Sequence, residues 1–138
     1  MLFPKKVKFR KWQKKRTDVS ARVDVRGSNV SFGSFGLKAE AVGRLTSNQI
    51  EAARKAASHH LTKVGRMWIR VFPDRPVTQK AAEVPMGGGK GELKGYSVEV
   101  LPGRILFEVD GIAEATAREA LRKAGTKLPI KTRVVARQ

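Results

Sequence analysis

The stretch TSNQIEAARKAASHHLTKVGRMWIRVF (Thr46–Phe72) decides how the rest of the chain is read. Thr46 and Gln49 have the spacing of a capping box, and Leu45 and Ile50 are placed to staple the helix entry. Ile50, Ala53, Ala57, Leu61 and Val64 recur at three- and four-residue intervals and mark one buried helical face. The alanines keep that face thin, so the helix can lie close on a sheet, and Gly65 stands where a C′ residue ends it. The period then changes. Over Arg66–Phe72, Met67, Ile69 and Val71 point one way while Trp68, Arg70 and Phe72 point the other, and Pro73 closes the strand. That second face mixes aromatics with a cation; it is either an exposed binding face or lies under another layer with Arg70 snorkelling out.

Toward the C-terminus, Tyr96–Leu101 and Ile105–Val109 alternate as strands, and Pro102-Gly103 between them is a hairpin signal. Ala113–Ala124 reads as a second helix with Ala117, Ala120, Leu121 and Ala124 on one side, Asp110 as its capping residue and Gly125 as its stop. Ile130–Ala136 reads as a last strand. Toward the N-terminus, Gly27, Gly33, Gly36 and Gly43 punctuate residues 17–43 among β-branched valines, which predicts short strands with tight connections. The tandem SFGSFGLKA (Ser31–Ala39) reads as a tight turn whose phenylalanines, Phe32 and Phe35, anchor into the core. Strands flank the helices without strict alternation, which predicts an α+β single domain: an antiparallel or mixed β-sheet with two helices packed on one face. Residues 17–138 form this domain. Residues 1–16 form a basic arm, and a Gly-rich loop spans 74–95.

A chain of 138 residues with 41 % apolar side chains has room for one core. Its net charge of +17 would destabilise a compact fold by self-repulsion unless a polyanion relieved it. The absence of cysteine excludes a disulfide scaffold, a thiolate zinc site and a cysteine nucleophile. No apolar run approaches membrane-span length, and Met1–Arg16 lacks the apolar core of a secretory signal, so an intracellular, cytoplasmic chain with no membrane partner is expected. Residues 1–90 carry +14 and residues 91–138 only +3. The excess is concentrated in the arm, where Lys5, Lys6, Lys8, Arg10, Lys11, Lys14, Lys15 and Arg16 alternate with Phe3, Phe9 and Trp12. Cations meet phosphates while aromatic faces stack on bases, so nucleic acid is the expected ligand and Trp12 belongs to the contact set. Arg22 and Arg26 continue the arm; Lys38 and Arg44 follow; Arg54 and Lys55 sit on the outer face of the first helix, and Arg66 and Arg70 on the strand after it. These are the expected RNA-binding cations.

The loop contains MGGGKG (Met86–Gly91), which fails as a phosphate loop because Gly91, not Ser or Thr, follows Lys90. It reads instead as a flexible finger of Met86, Gly87, Gly88, Gly89, Lys90 and Gly91, with glycines where space is tight or the backbone bends unusually. Catalysis has little support. His59 and His60 are adjacent and diverge on a helix, no nucleophile elbow occurs, and Glu108 with Asp110 is the closest acidic pair. No enzyme activity, metal or cofactor is expected.

Five blocks carry a resemblance: SFGSFGLKA, GRLTSNQIEAARKA (Gly43–Ala56), RMWIRVFPDRP (Arg66–Pro76), MGGGKG and KLPIKT (Lys127–Thr132), together with the opening MLFPKKVKFRKWQK. In order and spacing they resemble the bacterial large-subunit ribosomal protein L sixteen family over almost the entire chain. The resemblance implies a structural constituent of the large ribosomal subunit that binds large-subunit rRNA near the aminoacyl-tRNA site. It also implies contacts with tRNA in the aminoacyl and peptidyl sites and with neighbouring ribosomal proteins, and a part in subunit assembly. By position, the arm Lys5–Arg16 and the loop Met86–Gly91 approach tRNA. Pro85 stands where the family usually has a hydroxylatable arginine, so that modification is not expected here. The alternative is a nucleoid or other general nucleic-acid-binding protein, which fits the charge but lacks any recognised DNA-binding motif.

Overall fold

A computed structural model of the chain describes residues 1–12, 22–61 and 63–138. It has the expected α+β character within one domain, with strands β1 (Phe35–Ala39), β2 (Gly43–Thr46), β3 (Arg66–Ile69), β4 (Arg75–Gln79), β5 (Glu92–Val100), β6 (Ile105–Asp110) and β7 (Thr132–Ala136). The helices are α1 (Ser47–Ser58) and α2 (Glu114–Thr126). The strands divide into two antiparallel sheets, ordered β3-β6-β1-β7 and β2-β5-β4, where the sequence suggested one.

The chain changes sheet at short corners. Pro102-Gly103 does turn the chain, with Gly103 at φ +96°, but it joins β5 of one sheet to β6 of the other and is therefore no hairpin. The Gly103 N–H donates to Ala39 O and the Ala39 N–H to Arg104 O, each at 2.8 Å, so the corner is tied to the end of β1. Local pattern specifies a turn here; only the tertiary pairing decides whether its arms bond to each other.

The α1 entry matches the sequence reading. Thr46 Oγ1 accepts from the Gln49 N–H at 3.2 Å while Gln49 Oε1 accepts from the Thr46 N–H at 2.9 Å. The helix is shorter than the periodicity predicts: it ends at Ser58 with His59 as C-cap, and Val64 is 74 % exposed. Gly65 is therefore not its C′ residue; a Cβ there would lie 2.9 Å from the Ile112 side chain. Gly125 likewise lies within α2 rather than ending it; a Cβ there would sit 2.5 Å from Thr132 Oγ1 on β7, so close approach rather than a helix stop calls for glycine. Asp110 does not cap α2. The N-cap is Ala113 without a side-chain bond, and Asp110 instead accepts from the Ser34 hydroxyl at 2.6 Å and the Gly111 N–H at 2.8 Å.

The inner face of the four-stranded sheet carries Leu37, Ala39, Phe107 and Val109, buried with Ala117, Ala120, Leu121 and Ala124 of α2. Alanine allows close approach, as expected from the stripe. α1 packs on α2 and contributes Ile50, Ala53 and Ala57 to the same core, together with Leu45 and Val100 of the second sheet. Strands were expected over 17–43, but the described part before β1, residues 22–34, forms turns and bends, and residues 17–21 lie outside the described residues. The expected 74–95 loop is also shortened, since β4 and the start of β5 occupy its two ends and leave 80–91 as the connection. Arg75-Pro76-Val77 has no clean alternation, which conceals β4 from a periodicity argument.

Candidate nucleic-acid interface

Three basic surfaces are built on different parts of this frame. The first joins the arm to the loop. Ser47 Oγ donates to Leu2 O at 3.0 Å, and Phe3 packs edge-on against Tyr96 of β5 with centroids 6.3 Å apart. The start of the arm is thereby laid on the second sheet, and Phe3 spends one edge of its ring on the protein itself. Further along, Lys11 Nζ donates to Lys90 O at 3.4 Å, Lys90 Nζ donates to Trp12 O, and the Arg75 guanidinium lies 5.9 Å from the Trp12 ring centroid. Lys5, Lys6, Lys8, Arg10 and Lys11 remain exposed beside them. Lys14, Lys15 and Arg16 lie outside the described residues.

The loop itself explains its glycines. Gly87, Gly88 and Gly89 have φ of +100°, +74° and +101°, and a Cβ on any of them would meet nothing within 4 Å. Backbone conformation, not crowding, requires glycine there. Gly91 is different, since its Cβ would lie 2.7 Å from the Gln79 backbone. Lys80 Nζ donates to Gly87 O across the base of the loop, and Met86 at its tip is 94 % exposed.

The second surface is the helix-free face of the four-stranded sheet. Trp68 is paired with Glu108, Glu108 with Gly36, and Gly36 with Val135, so these four share one row on one face. Glu108 is fully buried there. Its carboxylate accepts from the backbone N–H groups of Ser31 at 2.5 Å and Phe32 at 3.1 Å, and lies 3.6 Å from the Arg70 guanidinium. Arg70 also donates to Asn29 O at 3.0 Å. Of the tandem phenylalanines, Phe35 packs against the core while Phe32 is 56 % exposed, so the expectation of two core anchors holds for only one. The Phe32 ring stacks on Trp68 (centroids 6.2 Å apart, planes at 24°), with the Arg70 guanidinium 5.0 Å from its centroid. Toward the β1–β7 edge, a cleft of about 330 Å³ is lined by Asn29, Val30, Lys38 and Arg133, the last lying 3.7 Å from the Glu40 carboxylate.

The third surface is a groove of about 660 Å³ between α1 and α2, lined by Lys55, His59, His60, Lys123 and Lys127 above Ala52 and Ala56. Arg122 lines it too, but pairs with Glu119 at 2.7 Å, and that hydrogen bond holds the Glu119 carboxyl below its ordinary range.

The expected cations thus fall into groups. Lys55, Arg66, Arg22 and Arg26 are exposed, as is Arg44, which pairs with Glu99 at 3.3 Å. Arg54 pairs with Glu51, whose carboxyl is held below the usual range by that hydrogen bond. Arg70 is committed to Glu108, Asn29 and Phe32. Sequence reasoning missed Lys123, Lys127 and Arg133 because they follow apolar patterns that were read only for packing. It weighed Glu108 only as half of the closest acidic pair, with Asp110, and not as the anchor of the Ser31–Phe32 turn. Among the described residues no cluster of three His, Asp or Glu is placed to hold a metal, and no helix is long and apolar enough to cross a membrane.

Comparison with known families agrees with this basic surface on an α+β frame. The family model for ribosomal protein L16p/L10e matches residues 4–135 of the 138. From the arm to β7 the chain therefore belongs to the ribosomal protein L16p/L10e family, a structural protein of the large ribosomal subunit.

Proposed function

We propose that this chain binds large-subunit rRNA near the aminoacyl-tRNA site, contacts tRNA in the aminoacyl and peptidyl sites through its loop, and supports subunit assembly. The observation that carries this reading is the meeting of arm and loop at Lys11, Trp12 and Lys90. Cations that grip rRNA and a side-chain-poor tip then act as one unit. The arm neutralises phosphates and releases counterions, and the basic groove between the helices gives a second backbone track. The loop offers backbone N–H groups at the place where bulky side chains would block approach.

With about ten phosphates engaged, log K falls against log salt with a slope near −7 to −9. Replacing Lys5, Lys6, Lys8 and Arg10 by glutamine leaves Leu2 and Phe3 in place and should reduce that slope by about 3. An unchanged slope in titrations with rRNA fragments would remove the arm as a main contact. Equal affinity for duplex DNA at the same salt would favour a general nucleic-acid binder instead. Bulky residues at Gly88 and Gly89 should slow tRNA accommodation while the protein stays with the subunit through a high-salt wash. Normal peptide synthesis by such ribosomes would end the loop assignment.

A further inference from the structure

We propose that the Phe32 ring, backed by Trp68 and Arg70, is a stacking platform for a single unpaired RNA base, with the cleft of Lys38 and Arg133 taking an adjoining phosphate. The inference rests on the RNA-binding reading above and specifies a contact that reading does not contain.

Three observations carry it. The ring is exposed although Phe35, in the identical Ser-Phe-Gly context, is packed against the core. Its position is built: two backbone N–H groups of the turn are fixed by a fully buried carboxylate, an expensive group to hold in a core unless it is paired and hydrogen-bonded. Burying Glu108 to order Ser31 and Phe32 positions a ring that stacks on Trp68 with more than half of its surface left in solvent. Finally, the surroundings have the chemistry of a nucleotide site. One aromatic neighbour sets the ring plane, a guanidinium lies over the ring 5.0 Å from its centroid, and the cleft that Asn29 and Val30 line just before the turn is polar and carries Lys38 and Arg133. An apolar protein partner would need neither the guanidinium nor the basic cleft.

The test compares the intact chain binding a short oligoadenylate with its binding to an abasic ribose-phosphate backbone of the same length. Wild type should prefer the oligoadenylate. Phe32→Leu should weaken that binding about tenfold, the order expected for one lost base–aromatic stack, and leave abasic binding unchanged. Phe32→Tyr should restore the preference. Lys38→Gln with Arg133→Gln should weaken both probes alike. If Phe32→Leu binds both probes as wild type does, or loses a ribosomal protein neighbour from the subunit while its RNA affinity is intact, the platform is wrong and the RNA-binding reading survives. If wild type binds neither probe nor rRNA fragments, the RNA-binding reading itself fails.

Discussion

Two glycine-bearing loops reach the surface of this protein, and they are held in opposite ways. The Ser31–Ser34 turn is fixed from beneath: Glu108 takes two of its N–H groups, Ser34 bonds Asp110, and a Cβ on Gly33 would lie 2.5 Å from the carbonyl oxygen of Val109. The Met86–Gly89 tip has no such neighbours, and its glycines answer only to positive φ. Glycine thus marks close contact in one loop and conformational freedom in the other. The first is suited to present a fixed surface; the second leaves its tip open to solvent.

The largest expected effect follows from emptying the anchor of the fixed turn. Glu108→Ala leaves Arg70 and two N–H groups without their buried partner and should cost about 3–5 kcal/mol in denaturant unfolding. A loss below 1 kcal/mol would mean that the turn holds itself. Gly33→Ala should come next, at about 1–3 kcal/mol, because β6 backbone must move to admit the methyl group. Gly88→Ala meets only the left-handed backbone penalty of about 1 kcal/mol, absorbed locally, so its melting temperature should stay close to wild type. If Gly33→Ala and Gly88→Ala melt together, the contrast between the loops is lost.

The smallest effect is a pH dependence. Hydrogen bonds from Ser34 and then Gly111 hold the Asp110 carboxyl below its ordinary 3.8. A carboxylate lowered on folding contributes stability that is present above its unfolded value and is lost as pH falls through the folded one. Acid unfolding of wild type should therefore carry a component below pH 3.8 that Asp110→Asn lacks. The fixed turn should loosen over that interval, as read from amide exchange of Ser34, while Gly88 exchange shows no matching step.

The sequence disclosed what depends on near neighbours. The Thr46–Gln49 box, the alanine stripe of α2 and the Pro102-Gly103 turn are each specified within a few residues. What depends on distant segments stayed hidden. Nothing local says that β5 and β6 part company after a good turn, that Gly125 must admit Thr132, or that Asp110 serves Ser34 rather than α2. Phe32 and Phe35 share a tripeptide, so their different fates come from Glu108, more than seventy residues away. On the interface, the basic arm was legible from charge alone. Its docking on Tyr96 and Ser47, and the groove that gathers Lys55 with Lys123 and Lys127, needed the packed helices and sheets.

The length of β5 has a mechanical consequence. Ser97 is paired with Thr46 at the start of α1, and the strand then runs back to Glu92 beside the loop. At about 3.3 Å per residue, five residues set the base of the finger roughly 17 Å from the helix cap. The hairpin is a boom. One end is paired with β2 at the foot of the first helix and the other leads into the glycine tip, so a single continuous strand joins the two.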